Sequence, residues 1–137
     1  MVITSRPTVV GMCLVPDTGH VIPLLRLARL VQAYVDARVV AIVPAPFERM
    51  VLDLGLEFRA VEGIDQGASR ELFAKLARRS ILCNRFLCRH DMNDHYLSGL
   101  HEAVSRELPH LAATVQDLKP ALLLADSHCF KIGRAHV

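Results

Sequence analysis

The feature that most constrains the fold is an alternation between short, continuous apolar runs and longer segments with helical periodicity. The apolar runs occupy residues 8–15, 38–43, 56–61 and 121–125. Runs of this length, rich in aliphatic residues, are typical of strands buried on both faces of a parallel sheet. The element order β-α-β-α-β-α-α-β predicts an α/β fold, with a Rossmann-like parallel sheet of strand order 3-2-1-4 and helices on both faces.

The spacing of apolar residues predicts the helices. After a turn at residues 16–19, leucines and valines at helical spacing predict a first helix with Pro23 in its first turn. Residues 47–54 favour a short helix, and Gly55 is suited to its C-terminal end. The first half of the chain therefore predicts three strands joined by two helices.

Two further helices are predicted before the fourth strand. Residues 69–89 favour a helix that begins at the N-cap residue Ser69. Apolar residues recur at intervals of three or four over residues 97–118, the strongest helical periodicity in the chain. Pro109 lies within this segment, and we expect it to kink or divide the helix.

The composition excludes several classes of protein. The 137 residues are enough for one compact domain, and a hydrophobic fraction of 52% excludes a disordered chain. A net charge of +2 and the absence of Trp argue against nucleic acid as a partner. No run reaches the ~18 apolar residues of a membrane span, and the start of the chain lacks a signal-peptide cleavage site. The cysteines form no CxxC pair, so we expect reduced thiols in a cytoplasmic protein.

The last six residues do not fit the pattern of the rest. A DNA sequence that encodes residues 132–137 (IGRAHV) resembles a common sequencing-library adapter. We expect a domain at residues 1–131, incomplete, followed by adapter read-through at 132–137; the alternative is a natural basic C-terminus.

Two residues that could carry chemistry follow the first and fourth strands. In the order 3-2-1-4 these strands are neighbours, and ligands bind beyond the carboxyl ends of strands at this switch point. His20 follows the first strand and Asp126 ends the fourth, so we predict a hydrogen bond between them, directly or through one water. A histidine backed by a carboxylate is a general-base arrangement. The alternatives are a helix-capping role for His20 and a solvated strand-end position for Asp126.

Residues 16–30, with the pattern P-x-x-G-H-V-I-P-L-L-x-L-A-x-L, resemble the N-terminal signature of UDP-glycosyltransferases of the GT-B fold. Residues 55–58 and 119–127 are similar to segments at the third and fourth strands of that family. The chain departs from the family at Ala121, which replaces an Asp, and at residues 36–37, which replace Gly-His. Neither departure touches His20 or Asp126.

The resemblance implies the N-terminal, acceptor-binding half of an inverting glycosyltransferase, a hexosyltransferase-type enzyme. It would transfer a sugar from a nucleotide-sugar donor, a UDP-sugar, to a hydroxyl of a small lipophilic acceptor. His20 would be the catalytic base and Asp126 its partner. No metal is implied, because the family neutralises the leaving diphosphate with its second domain. No cofactor is implied either, because the nucleotide sugar is a co-substrate. The donor-binding C-terminal domain would be missing, so we expect this chain alone to be inactive.

The remaining site predictions concern the two substrates. Thr18 and Gly19, at the start of the first helix, could approach the donor phosphates through backbone N–H groups. Pro16, Phe86 and Ser127 are candidates for the acceptor side, although for Phe86 a core position is the favoured alternative.

Other functions remain open from the sequence. A nucleotidyltransferase would carry His-x-Gly-His at the start of the first helix, but Asp17 stands where the first His belongs. A non-catalytic Rossmann-like binding module would need neither the glycosyltransferase signature nor the His-x-Gly-His motif. Residues 90–95 (HDMNDH) lack a recognised metal-ligand pattern, and a solvated helix junction is the better interpretation.

Overall fold

The computed structural model describes residues 5–62 and 98–126. These residues form a parallel sheet of order β3-β2-β1-β4. The strands are β1 (Thr8–Met12), β2 (Arg38–Pro44), β3 (Glu57–Val61) and β4 (Leu122–Ala125). The predicted α/β class and the strand order 3-2-1-4 are therefore confirmed.

The helices of the described residues follow the predicted segments closely. They are α1 (Thr18–Val35), α2 (Glu48–Asp53) and α3 (Ser98–Leu118), with a 3-10 turn at Ala45–Phe47 before α2. The helix predicted at residues 69–89 lies outside the described residues. Among the helices that the structure describes, none has the length and apolar character needed to cross a membrane.

Helices α1 and α3 cover opposite faces of the sheet. A Cβ added to Gly11 of β1 would lie 3.8 Å from the Cβ of Ala28, so this position faces α1. Gly11 pairs with Ala41, and successive strand residues point to opposite faces. The next residue, Ile42, lines a cleft together with Thr114 of α3. The predicted helices on both faces are confirmed.

The core is aliphatic and is centred on β1 and β2. The burial pattern shows every residue of β2 after Arg38 to be buried. Leu111 and Val115, one turn apart on α3, are buried against this sheet. Strand β4 differs from the expectation of a fully buried strand, since Leu122 is 44% exposed. In the described part of the chain β4 pairs only with β1, which leaves its outer side uncovered by another described strand.

Two prolines were expected to mark helix features, and the structure departs from one expectation and narrows the other. Helix α1 begins at Thr18, so Pro23 is its sixth residue rather than part of the first turn. The earlier start follows from Asp17, which occupies the N-cap position. Pro109 does not divide α3, which is continuous from Ser98 to Leu118. Proline removes one backbone donor at each site, and contacts with the sheet offset that loss.

Candidate active site

The ends of β1 and β4 meet at one edge of the sheet. Met12 pairs with Ala125 in the last register position of the two strands. The N–H of Asp126 then donates to the carbonyl oxygen of Met12 at 3.0 Å. This bond extends the ladder by one residue, so the backbone of Asp126 is held by the sheet itself.

A short buried connection joins β1 to α1 at the same edge. The side chains of Cys13, Leu14 and Val15 are buried, and the N–H of Asp17 donates to the carbonyl oxygen of Val15 at 2.8 Å. The first turn of α1 follows at once, with the N–H of His20 donating to the carbonyl oxygen of Asp17 at 3.0 Å. Because the connection is packed into the core, the start of α1 has a defined position above the sheet.

The structure brings His20 and Asp126 into direct contact. The Nδ1 atom of His20 lies 2.9 Å from Oδ1 of Asp126, and the side chains are 30% and 11% exposed. The predicted hydrogen bond is therefore confirmed, without an intervening water. An ionised carboxylate can only accept hydrogen bonds, so the proton of a neutral imidazole is assigned to Nδ1 and the basic lone pair to Nε2.

This arrangement can move a proton at Nε2. The carboxylate fixes the orientation and tautomer of the ring and stabilises the imidazolium that forms when Nε2 takes a proton. The low exposure of the Asp126 side chain (11%) matters here, because charge interactions weaken as water screens them. The pair has the geometry required of a general base and its orienting partner.

Asp17 is a further polar residue at this edge, and its capping role was missed in the sequence analysis. Its Oδ1 accepts a hydrogen bond from the N–H of Gly19 at 3.0 Å and lies 3.5 Å from Oγ1 of Thr18. An aspartate directly before an amphipathic segment is a standard signal for an N-cap, so the local sequence contained this information.

The cap changes what Thr18 and Gly19 can offer a donor phosphate. The N–H of Gly19 is already bonded to Asp17, and a phosphate there would meet the negative charge of that carboxylate. Gly19 is not required by the backbone, since an added Cβ would lie 3.6 Å from Oδ1 of Asp17, an ordinary contact. A phosphate that accepts a hydrogen bond from the N–H of Gly19 must therefore displace the Asp17 side chain.

The predicted acceptor residues are only partly described. Pro16 is half-buried and lies in the connection between β1 and α1, at the edge that carries His20 and Asp126. Phe86 and Ser127 lie outside the described residues, as do residues 90–95 and 132–137. Within residues 5–62 and 98–126, no group of three or more His, Cys, Asp or Glu side chains could hold a metal ion.

The opposite edge of the sheet carries a different polar pair. Nε and Nη2 of Arg38 donate to the two carboxylate oxygens of Glu57, each at 2.7 Å. These hydrogen bonds hold the pKa of the Glu57 carboxyl below its usual range, and partial burial opposes the shift. The pair lines an open groove of about 740 Å³ at the amino ends of the strands. The length of the sheet separates this groove from His20 and Asp126. We therefore assign the Arg38–Glu57 pair a structural role.

Comparison of the chain with protein-family models, with curated proteins and with solved structures finds no match. The inference about function therefore rests on the geometry at the carboxyl edge of the sheet and on the resemblance of residues 16–30.

Proposed function

We propose that this domain is the acceptor-binding half of an inverting glycosyltransferase, in which His20 is the general base. The single observation that supports this function is the 2.9 Å hydrogen bond between Nδ1 of His20 and Oδ1 of Asp126. The bond orients a basic nitrogen at the carboxyl edge of a parallel sheet, which is where ligands bind in folds of this type. The resemblance of residues 16–30 to UDP-glycosyltransferases supplies the reaction class.

The proposed reaction couples removal of a proton from the acceptor hydroxyl to transfer of the sugar. Nε2 of His20 takes the proton of an acceptor hydroxyl as the oxygen attacks the anomeric carbon of the nucleotide sugar. The bond between that carbon and the diphosphate oxygen breaks, and its electron pair leaves with the nucleoside diphosphate. Attack opposite the leaving group inverts the anomeric configuration. Asp126 offsets the positive charge that develops on the ring of His20.

The donor is proposed to bind mainly to a second domain that follows this one in the parent protein. The negative charge of Asp17 at the start of α1 agrees with this division, because it disfavours a diphosphate held by α1 alone. Alignment of donor and acceptor supplies much of the rate of such reactions. A single domain therefore binds the acceptor but does not transfer the sugar.

The test is an assay for sugar transfer with a protein that carries both this domain and the proposed donor-binding domain. UDP-sugars and a panel of small phenolic and alcoholic acceptors are incubated with the enzyme, and the products are identified by mass spectrometry and NMR. Transfer to oxygen with inversion supports the proposal. Transfer of a nucleotidyl group would instead assign the domain to a nucleotidyltransferase, and ligand binding without any transfer would assign it to a binding module.

A further inference from the structure

Helices α1 and α2 flank an open groove that the proposed reaction does not use. Its volume is about 530 Å³, within the range of pockets that bind small molecules. Its apolar lining comes from Ile22, Leu25, Pro46, Met50 and Leu54. Leu25 is only 1% exposed and forms part of the core, whereas Met50 is 36% exposed. The groove therefore has a rigid wall on α1 and an adaptable methionine on α2.

The charges at the rim of this groove favour an anionic ligand. Arg26 lines it from α1, and Arg49 and Asp53 line it from α2. Asp53 is neutralised in part by Arg49, whose Nε lies 3.9 Å from its Oδ2. In the described part of the chain Arg26 has no ion-pair partner. Among the described residues, the two arginines and one aspartate of the lining therefore leave one positive charge in excess beside an apolar surface.

The size of the groove favours a small molecule over a peptide helix. The lining residues of α1 run from Ile22 to Arg26, which is about one helical turn and ~6 Å of axis. A bound helix is usually held by anchors that span two turns or more. A small molecule with an apolar body and one anionic group matches both the volume and the charge of the groove.

We propose that the α1–α2 groove binds a small apolar carboxylate, with its hydrocarbon part between Leu25 and Met50 and its carboxylate beside Arg26. Binding there requires neither His20 nor Asp126, so the site is independent of the proposed transferase reaction. The carboxylate–guanidinium contact supplies specificity for the charged end, and burial of the hydrocarbon supplies the driving force.

The experiment uses decanoate as the probe and the methyl group of Met50 as the reporter. The full chain is labelled at its methionine methyl groups, and Met50→Leu assigns the signal. We expect the Met50 signal to shift and saturate with decanoate, while the signal of the fully buried Met12 stays in place. Decanamide, which has the same hydrocarbon and no charge, should bind more weakly. Equal binding of decanamide, or no saturable shift at Met50, would overturn the proposal.

A matched pair of arginines tests the placement of the carboxylate. Arg26→Glu should raise the dissociation constant for decanoate by about tenfold, because reversal of the charge replaces attraction with repulsion at a partly screened site. Arg29→Glu is the control: Arg29 is exposed on the same helix, and its Nη1 donates to Oε1 of Gln32 at 2.7 Å. Equal losses in the two variants would contradict the role of Arg26. Arg26→Gln gives the same test should the charge reversal impair folding.

Discussion

Nδ1 of His20 and Oδ1 of Asp126 lie 2.9 Å apart, although 106 positions separate the two residues in the sequence. The contact follows from the adjacency of β1 and β4, whose last paired residues are Met12 and Ala125. A small shift of either strand would separate the side chains, so the sheet register is what positions the proposed general base.

Removal of the imidazole should abolish most of the proposed activity. In a protein that also carries the proposed donor-binding domain, His20→Ala is expected to lower kcat by ~10²–10⁴-fold, the usual contribution of a general base. Binding of UDP should change little, because the imidazole acts on the acceptor. Asp126→Asn should also lower kcat, since the imidazolium loses its charged partner. His110→Ala, at an exposed position of α3, is the control and should retain full turnover; unchanged turnover in His20→Ala would place the chemistry elsewhere.

The tautomer of His20 can be measured in the chain itself. Nitrogen-15 NMR of the imidazole should show the neutral ring of His20 protonated at Nδ1, because the carboxylate of Asp126 accepts that proton. In Asp126→Ala the ring should shift toward the Nε2-protonated form that predominates in free histidine side chains. A neutral wild-type ring protonated mainly at Nε2 would contradict the assigned hydrogen bond.

Asp17 should stabilise the fold by capping α1. Asp17→Ala removes the acceptor for the N–H of Gly19 and is expected to lower the free energy of unfolding by about 1 kcal/mol, as measured by urea denaturation. Asp17→Asn keeps an oxygen acceptor and should lose much less. Equal losses in the two variants would show that the charge, rather than the cap, is responsible.

The pair Arg38–Glu57 should make stability depend on pH in the acidic range. The hydrogen bonds from Arg38 hold the pKa of Glu57 in the folded chain below its ordinary value of 4.5. The stabilisation is therefore fully present above that ordinary value and is lost as the pH falls through the lower, folded-state value. Because both side chains are nearly half exposed, we expect Glu57→Gln to cost only about 0.2–1 kcal/mol at neutral pH.

Urea denaturation of the Glu57→Gln variant from neutral to acidic pH measures this dependence. The difference from the wild type should shrink as the pH falls. Glu102→Gln, an exposed position on α3, should show no comparable difference at neutral pH. A Glu57→Gln effect that grows toward acidic pH would contradict the assignment.

Local patterns were sufficient to predict much of the fold. Gly55, expected at the end of the second helix, has a φ of 71°, in the left-handed region that helix ends favour. The apolar runs predicted the strands, and their alternation with helices predicted the strand order. That order in turn predicted that His20 and Asp126 would meet, since the ends of adjacent parallel strands lie at one edge.

Other features depended on contacts that no local pattern contains. Whether Pro109 would kink or divide α3 was left open by the sequence. The helix is not divided, because the cost of a proline is offset by packing of Leu111 and Val115 against a distant sheet. Periodicity shows which face of an element is apolar, but it does not show how completely a neighbour covers that face, as the exposure of Leu122 in β4 illustrates. The choice of Nδ1 over Nε2 as the atom that contacts Asp126 likewise depends on the rotamer of His20 and the path of the chain between β1 and α1. The rotamer and the path of the chain are set by the packing of the whole domain, because residues distant in the sequence determine which conformations are sterically allowed.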